Sequence, residues 1–117
     1  MIESRFLVNA AMLMCAAFGF APLAGADEAV KGSAEAGAAK AAVCTACHGV
    51  NGNSSNPEWP SLAGQNAAYV TEQLAMFKAK KRNNPLMQPI IDPLSEQDFA
   101  DLGAFFAAQT PAGLEAD

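Results

Sequence analysis

Two cysteines and a histidine near the middle of the chain are the residues best suited to hold a metal, a disulfide or a cofactor. Cys44, Cys47 and His48 form a Cys-x-x-Cys-His sequence, and His48 is the only histidine among the 117 residues. Thiols at this spacing occur in structural zinc sites, in thiol–disulfide redox pairs and at points of covalent haem attachment. The surrounding sequence distinguishes between these three chemistries.

Zinc binding and thiol–disulfide exchange both fit the sequence poorly. A structural zinc ion takes four ligands as a rule. The chain has no second histidine and only one other cysteine, Cys15, so a carboxylate would have to complete the set. A thiol–disulfide pair belongs at the start of a helix packed on a β-sheet, where the helix dipole lowers the pKa of the thiol. Here the pair ends an alanine-rich segment, and no segment alternates as a strand does.

Covalent haem attachment is the chemistry that the spacing favours. Two cysteines three positions apart lie near one face of a helical turn, so both sulfurs can reach the vinyl groups of one porphyrin. His48 follows directly and brings its imidazole to the iron from the same side. A bound haem also provides apolar surface that so small a domain lacks. We therefore expect a haem bonded to Cys44 and Cys47, with His48 as an iron ligand.

The second axial ligand must be another residue type, because the chain has no second histidine. Two methionines follow the attachment sequence. Met76 lies in a helical pattern, where a methionine is more often a core residue. Met87 lies between Pro85 and Pro89, and a loop stiffened by prolines presents a thioether at a small entropic cost. We expect Met87 to ligate the iron, with Met76 as the alternative. His/Met ligation raises the reduction potential relative to His/His and fills both axial positions.

Three segments have the composition of helices, and each begins with a residue that can cap its first turn. They cover residues 33–47, 67–82 and 95–109, with Ser33, Asn66 and a Ser95/Asp98 capping box at their starts. The connecting stretches are rich in Gly, Asn, Ser and Pro. The second of them, 83–93, holds three prolines and is expected to be irregular. The sequence therefore predicts an all-α domain of three or more helices and long loops wrapped around one covalent haem.

The first 26 residues have the features of a secretory signal peptide. Arg5 precedes an almost continuous apolar stretch over residues 6–26, which ends in small residues. We expect cleavage after Ala26 and export to the periplasm, which leaves residues 27–117 as the folded domain. The alternative is a retained membrane anchor, although glycines and a proline interrupt the second half of the stretch. Cys15 lacks the preceding small residue of a lipoprotein signal and is expected to leave with the leader.

The charge distribution does not indicate nucleic acid as a partner. The chain has 12 acidic and 7 basic residues and a net charge of −5, whereas binding to phosphate backbones needs clustered positive charge. The local exception is a basic group at the end of the second predicted helix, formed by Lys78, Lys80, Lys81 and Arg82. This group is either a solvated helix end or a docking surface for an acidic redox partner. Arg82 either bonds a haem propionate or ends the helix.

The chain resembles a class I cytochrome c through four segments in the family's order. They are GAAKAAVCTACHGVNGNS, WPSLAGQNAAYVTEQL, KRNNPLM and LSEQDFADLGAFFAAQ. The resemblance covers about residues 34–109 and is nearest to the bacterial branch in which two tandem domains form the dihaem c-four cytochromes. This sequence has a single Cys-x-x-Cys-His, so the resemblance implies a single-domain protein with one haem c.

The resemblance also implies roles for individual residues. It places a crossing of the first and last helices at Gly37, against the face that carries Phe105 and Phe106. It implies that the carbonyl of Pro60 accepts a hydrogen bond from Nδ1 of His48, which orients the ring and makes it a better donor; otherwise Pro60 is a plain turn residue. The segment KRNNPLM agrees with Met87 as the axial ligand.

The function expected from these features is one-electron transfer by a soluble periplasmic carrier. Its partners would be redox proteins such as membrane respiratory complexes, terminal oxidases or periplasmic reductases, with no small-molecule substrate and no catalysis. One alternative is a fixed electron-transfer subunit of a larger complex. Another is a haem enzyme or gas sensor with an open iron position, which the lack of a distal histidine and of an acid/base pair beside Met87 opposes.

Overall fold

The computed structural model describes residue 19 and residues 29–114 of the chain. It contains the helices α1 (Ala34–Lys40), α2 (Ala42–His48), α3 (Ala67–Lys78), α4 (Gln88–Ile91) and α5 (Glu96–Ala107), and a 3₁₀ turn at Val50–Gly52. No strand forms within residues 29–114, so the predicted all-α fold is confirmed. The predicted signal peptide, with Cys15, lies outside the described residues except at Gly19.

In the part of the chain that the structure describes, no helix has both the length and the hydrophobicity needed to cross a membrane.

The three predicted N-caps are present in the structure. The side chains of Ser33 and Asn66 accept hydrogen bonds from the third amide that follows each of them, at 3.2 and 3.0 Å. At the start of α5 the bonds are reciprocal. The Asp98 amide donates to Oγ of Ser95 at 3.2 Å, and the Ser95 amide donates to Oδ2 of Asp98 at 2.9 Å. These caps are local interactions, which is why the sequence alone predicts them.

The helix boundaries differ from the prediction in three places. The first segment divides at Ala41 into α1 and α2, and α2 continues through His48. The second predicted helix stops at Lys78, because Lys80 has a left-handed backbone with φ of 60°. A one-turn helix, α4, forms where irregular chain was expected. It is compatible with Pro89 because the first amides of a helix have no carbonyl partner within the helix, so a missing N–H there costs nothing.

Helix α5 lies against both α1 and α3, and a glycine permits the close approach at each crossing. A Cβ added to Gly37 of α1 would lie 2.1 Å from the Asp101 carbonyl oxygen and 2.7 Å from the Cβ of Phe105. The crossing implied by the resemblance is therefore present, with Asp101 and Phe105 supplying the nearest atoms. At the second crossing, a Cβ on Gly103 would lie 2.6 Å from the carbonyl oxygen of Ala67.

The apolar core consists of two adjoining clusters that both include residues of α5. The first contains Ala41, Leu102 and Phe106, and the second contains Phe77, Ile91 and Phe99. Leu74 and Leu94 pack against both clusters. Cys44 borders the first cluster and Met87 borders the second. The core therefore connects the predicted attachment helix to the segment that carries the predicted methionine ligand.

A buried carboxylate ties both ends of α1 to α5. Asp101 is 3% exposed, and its Oδ2 accepts from Nζ of Lys40 at 2.7 Å. Its Oδ1 accepts from the amide of Ser33 and from Nε2 of Gln97, both at 2.9 Å. Lys40 also pairs with Asp98 at 2.6 Å. The hydrogen bond from Lys40, followed by those from Ser33 and Gln97, lowers the pKa of Asp101 to about 2.

We predict that Gly37→Ala destabilises the protein. Replacing glycine by alanine inside a helix normally adds about 1 kcal/mol of stability, but overpacking against backbone costs about 1–3 kcal/mol. Because the added methyl group would overlap a carbonyl oxygen, we expect a net loss of up to about 2 kcal/mol. Chemical unfolding of the haem-loaded protein, followed by circular dichroism, measures this change.

The matched control is Ala38→Gly, at an exposed position of the same helix. It should cost about 1 kcal/mol through helix propensity alone. A Gly37→Ala variant more stable than the wild type would show that α1 and α5 are not in tight contact.

We predict that Asp101 makes the stability of the fold sensitive to acid. The pKa of about 2 in the folded state lies below the ~3.9 of an unfolded aspartate. The charged carboxylate therefore stabilises the fold fully above about pH 4, and this contribution is lost as the pH falls through about 2. Asp101→Asn should lower the melting temperature at pH 7. It should also reduce the additional loss of stability that the wild type shows between about pH 4 and pH 2.

Thermal unfolding followed by circular dichroism across this pH range tests the prediction, with Glu72→Gln on the exposed side of α3 as control. An acid profile of Asp101→Asn parallel to that of the wild type would contradict it.

Candidate functional site

The only imidazole of the chain is buried at the end of α2 and held by a backbone carbonyl. His48 is 8% exposed, and its Nδ1 lies 2.6 Å from the carbonyl oxygen of Pro60. A carbonyl can only accept, so Nδ1 carries the proton and donates it. The lone pair of the neutral ring is then on Nε2, the nitrogen that remains available to a metal ion. The contact that the resemblance implied between His48 and Pro60 is present in the structure.

The loop after α2 brings Pro60 back to His48. Gly49 ends the helix with φ of 85°, and a Cβ at this position would lie 1.9 Å from the carbonyl oxygen of Asn53. The carbonyl of Gly52 then accepts from the amides of Leu62 and Ala63, at 2.7 and 3.1 Å. These bonds close the loop on itself, so a residue 12 positions further along the chain can face the imidazole.

Both cysteines of the motif lie on α2 with His48 and have free thiols. Cys44 is half-buried against the first core cluster, one helical turn before His48, and burial raises the pKa of its thiol. Cys47 is exposed. Within residues 29–114, no three histidine, cysteine or acidic side chains come together as a metal site. Both sulfurs are therefore available for covalent bonds.

The two candidate methionines differ in their surroundings. Met87 is the N-cap residue of α4, half-buried against the second core cluster. Met76 lies on α3, also half-buried, with its sulfur 3.8 Å from Nε2 of Gln73. Met87 is thus the methionine at the end of a proline-containing segment beside apolar side chains, and Met76 is a helix residue with a polar neighbour.

Most of the basic group at the end of α3 has partners inside the protein. Nζ of Lys78 donates to the carbonyls of Asp92 and Leu94, the latter at 2.8 Å. Nζ of Lys80 pairs with Oδ1 of Asp92 at 2.9 Å, and this bond lowers the pKa of the Asp92 carboxyl. Sequence reasoning missed these contacts, because the partners lie 12 to 16 residues away. They tie the segment that carries Met87 to the end of α3.

Arg82 has an internal partner as well. Its Nη1 donates to Oε1 of Gln73 at 2.7 Å, and the guanidinium lies 4.6 Å from the ring centroid of Phe77. The suggestion that Arg82 ends α3 is wrong, because the helix stops four residues earlier, at Lys78.

The arrangement of these donors fits a covalently bound haem. Two unpaired thiols and an imidazole with a free Nε2 lie on one short helix, and a thioether lies at the edge of an apolar cluster. Imidazole nitrogen and thioether sulfur are both haem-iron ligands. A helical domain with this set of groups is a c-type haem protein.

Comparison with known proteins identifies the family. Residues 34–109 match the family described as Cytochrome c, and the chain belongs to that family. The class I cytochrome c inferred from the sequence is confirmed. The protein carries one haem c, bonded through Cys44 and Cys47, which supplies an iron that accepts and releases a single electron.

The relatives include proteins named as cytochromes and one named as an electron acceptor. Cytochrome c4 of Pseudomonas aeruginosa is 50% identical over 78 residues, which cover 67% of this chain and 39% of that protein. Cytochrome c-554(548) of Halomonas halodenitrificans is 37% identical over 81 residues, covering 67% of this chain and 98% of that protein. A protein of Thiomonas intermedia named thiosulfate dehydrogenase electron acceptor is 37% identical over 79 residues, covering 66% of this chain and 36% of that protein.

A solved structure has the same fold. Reduced recombinant cytochrome c4 from Pseudomonas stutzeri superposes with a TM-score of 0.66 and 44% identity, over 69% of this chain and 47% of that chain. The chain thus spans less than half the length of these cytochrome c4 relatives, and nearly the full length of cytochrome c-554(548).

We predict that haem attachment depends on both thiols. Haem of the wild-type protein should remain with the polypeptide in acidified organic solvent, because thioethers survive this treatment. Cys44→Ala and Cys47→Ala should each retain one bond and accumulate poorly, and the double variant should release all of its haem. Haem staining of denaturing gels measures the attached fraction.

Thr45→Ala, between the two cysteines, is the matched control and should stain like the wild type. Haem that separates freely from the wild-type chain would contradict covalent attachment.

Proposed function

We propose that the protein is a periplasmic one-electron carrier whose haem iron is ligated by His48 and Met87. The observation that carries this proposal is the bond from Nδ1 of His48 to the Pro60 carbonyl, which leaves Nε2 directed to another partner. A hydrogen bond at the second ring nitrogen fixes the orientation of a metal-bound imidazole and increases its donor strength. Among residues 29–114, His48 supplies the only imidazole.

The thioether of Met87 would complete the coordination. Sulfur is a soft ligand that favours the ferrous state, so His/Met ligation raises the reduction potential relative to His/His. With both axial positions filled by protein side chains, the site has no position for a substrate. That property supports a carrier over an enzyme or a gas sensor.

The environment of the site supports transfer between proteins. His48 is buried whereas Cys47, its neighbour on α2, is exposed. The edge of a haem bonded to Cys47 would therefore lie close to the surface while the iron ligand is shielded from water. Arg82 uses one guanidinium N–H group on Gln73, and we propose that its remaining donors bond a haem propionate.

The proposed location and partners rest on the leader and on the relatives. A signal peptide over residues 1–26 would deliver the chain to the periplasm, where bacterial haem attachment of this kind takes place. The relative named thiosulfate dehydrogenase electron acceptor supports periplasmic redox enzymes as donors. Membrane respiratory complexes and terminal oxidases are the corresponding electron acceptors.

We predict that Met87→Ala abolishes the sulfur-to-iron charge-transfer band of the oxidised protein and lowers its reduction potential, because the soft axial ligand is lost. The reduced variant should also bind carbon monoxide rapidly, since one coordination position is open. Absorption spectroscopy and redox titration measure these changes.

Met76→Ala is the matched control and should keep the band, the potential and the slow carbon monoxide binding of the wild type. Loss of the band in Met76→Ala alone would transfer the ligand assignment to Met76. Rapid, complete carbon monoxide binding by the wild type at neutral pH would overturn the carrier function.

A further inference from the structure

A single side chain organises the backbone that leads into Met87. Oδ1 of Asn84 accepts from the amide of Leu86 at 2.9 Å and from the amide of Met87 at 3.3 Å. The Asn84 carbonyl accepts from the amide of Gln88 at 3.0 Å. Three consecutive amides are therefore bonded to one residue. An asparagine that bonds the amides two and three positions later is a common device for fixing a turn.

The residues between Asn84 and α4 have few other restraints. Pro85 fixes its own φ and has no amide to bond. Leu86 is 70% exposed, so burial of its side chain does not hold the segment in place. On the N-terminal side of Met87, the backbone position therefore depends on the hydrogen bonds to Asn84.

Helix α4, which follows Met87, is held in place by a separate set of contacts. Nε2 of Gln88 donates to the Phe77 carbonyl at 3.2 Å and to Oδ1 of Asp92 at 2.7 Å. Lys80 bonds the same carboxylate from the end of α3. These contacts hold α4 to α3 but do not touch the turn that precedes Met87, so the two anchors can be tested independently.

We propose that Asn84 is a positioning residue for the axial thioether. By holding the Leu86 and Met87 amides, it keeps the methionine backbone in the conformation that directs sulfur to the iron. This proposal rests on the proposed ligation by Met87. Without the two side-chain bonds, the turn samples other conformations, and ordering it again opposes formation of the iron–sulfur bond. The fraction of molecules with a dissociated methionine then rises.

The test compares Asn84→Ala with two variants of the same segment. Asn83→Ala removes the preceding exposed asparagine, whose side chain makes no hydrogen bond to residues 84–88. Asn84→Asp retains an oxygen that can accept from both amides. Each variant is prepared with covalently attached haem. The measurements are the rate of carbon monoxide binding to the reduced protein, the pH at which the charge-transfer band disappears, and amide hydrogen exchange at Leu86 and Met87.

We expect Asn84→Ala to bind carbon monoxide about ten-fold faster than the wild type, as the loss of two ordinary hydrogen bonds implies. When the pH is raised, its charge-transfer band should disappear about one pH unit lower, because hydroxide captures a ten-fold larger dissociated fraction at a ten-fold lower concentration. Its Leu86 and Met87 amides should exchange faster. Asn83→Ala and Asn84→Asp should match the wild type in all three measurements.

Two outcomes would overturn the positioning role. One is that reduced Asn84→Ala binds carbon monoxide no faster than reduced Asn83→Ala does. The other is a lower melting temperature of Asn84→Ala without any change in carbon monoxide binding or in the pH dependence of the band. Ligation by Met87 would survive either result, because the Met87→Ala variant tests it separately. If Met87→Ala keeps its band, the proposed function fails and the positioning role fails with it.

Discussion

The hydrogen bond between His48 and the Pro60 carbonyl is the interaction on which the site depends. The chain has one imidazole, and a 2.6 Å contact to an oxygen that can only accept determines which of its nitrogens is protonated. Metal binding requires the unprotonated Nε2, so a rotated or differently protonated ring could not ligate the iron. Closure of the loop through the Gly52 carbonyl brings Pro60 to this position.

Helix α5 relates the two ends of the site to each other. Gly37 lets α1, and therefore the attachment helix that follows it, approach α5, while Gly103 does the same for α3. Asp101 is buried at the first of these crossings and pairs with the half-buried Lys40. Burial of this carboxylate is tolerated because both of its oxygens accept hydrogen bonds. The geometry between Cys44 and Met87 is thus determined by backbone contacts of one helix, with apolar side chains filling the space between.

Local chemistry made a large part of this structure predictable from the sequence. The N-caps at Ser33 and Ser95 depend on residues three positions away, and the haem-attachment motif is contiguous. The acceptor role of Pro60 came from resemblance alone, since nothing in its neighbours indicates which carbonyl faces His48. Helix α4 was missed because prolines argued against it, although one of them occupies a position that needs no amide hydrogen. The partners of Lys78 and Lys80 lie in another part of the sequence, beyond the reach of local patterns.

The internal use of the cations at the end of α3 has a consequence for encounters in solution. Lys78, Lys80 and Arg82 are occupied by carbonyls, a carboxylate and an amide of their own chain. Of these bonds only the Lys80–Asp92 pair cancels a charge, and Lys78 and Arg82 keep theirs. At long range, the interaction with another molecule is governed by the overall charge of −5. Association with a positively charged oxidase or reductase would be accelerated in dilute buffer and slowed by added salt, and a negatively charged one would show the reverse. The ionic-strength dependence of turnover with a given enzyme thus reports the sign of that enzyme's contact surface.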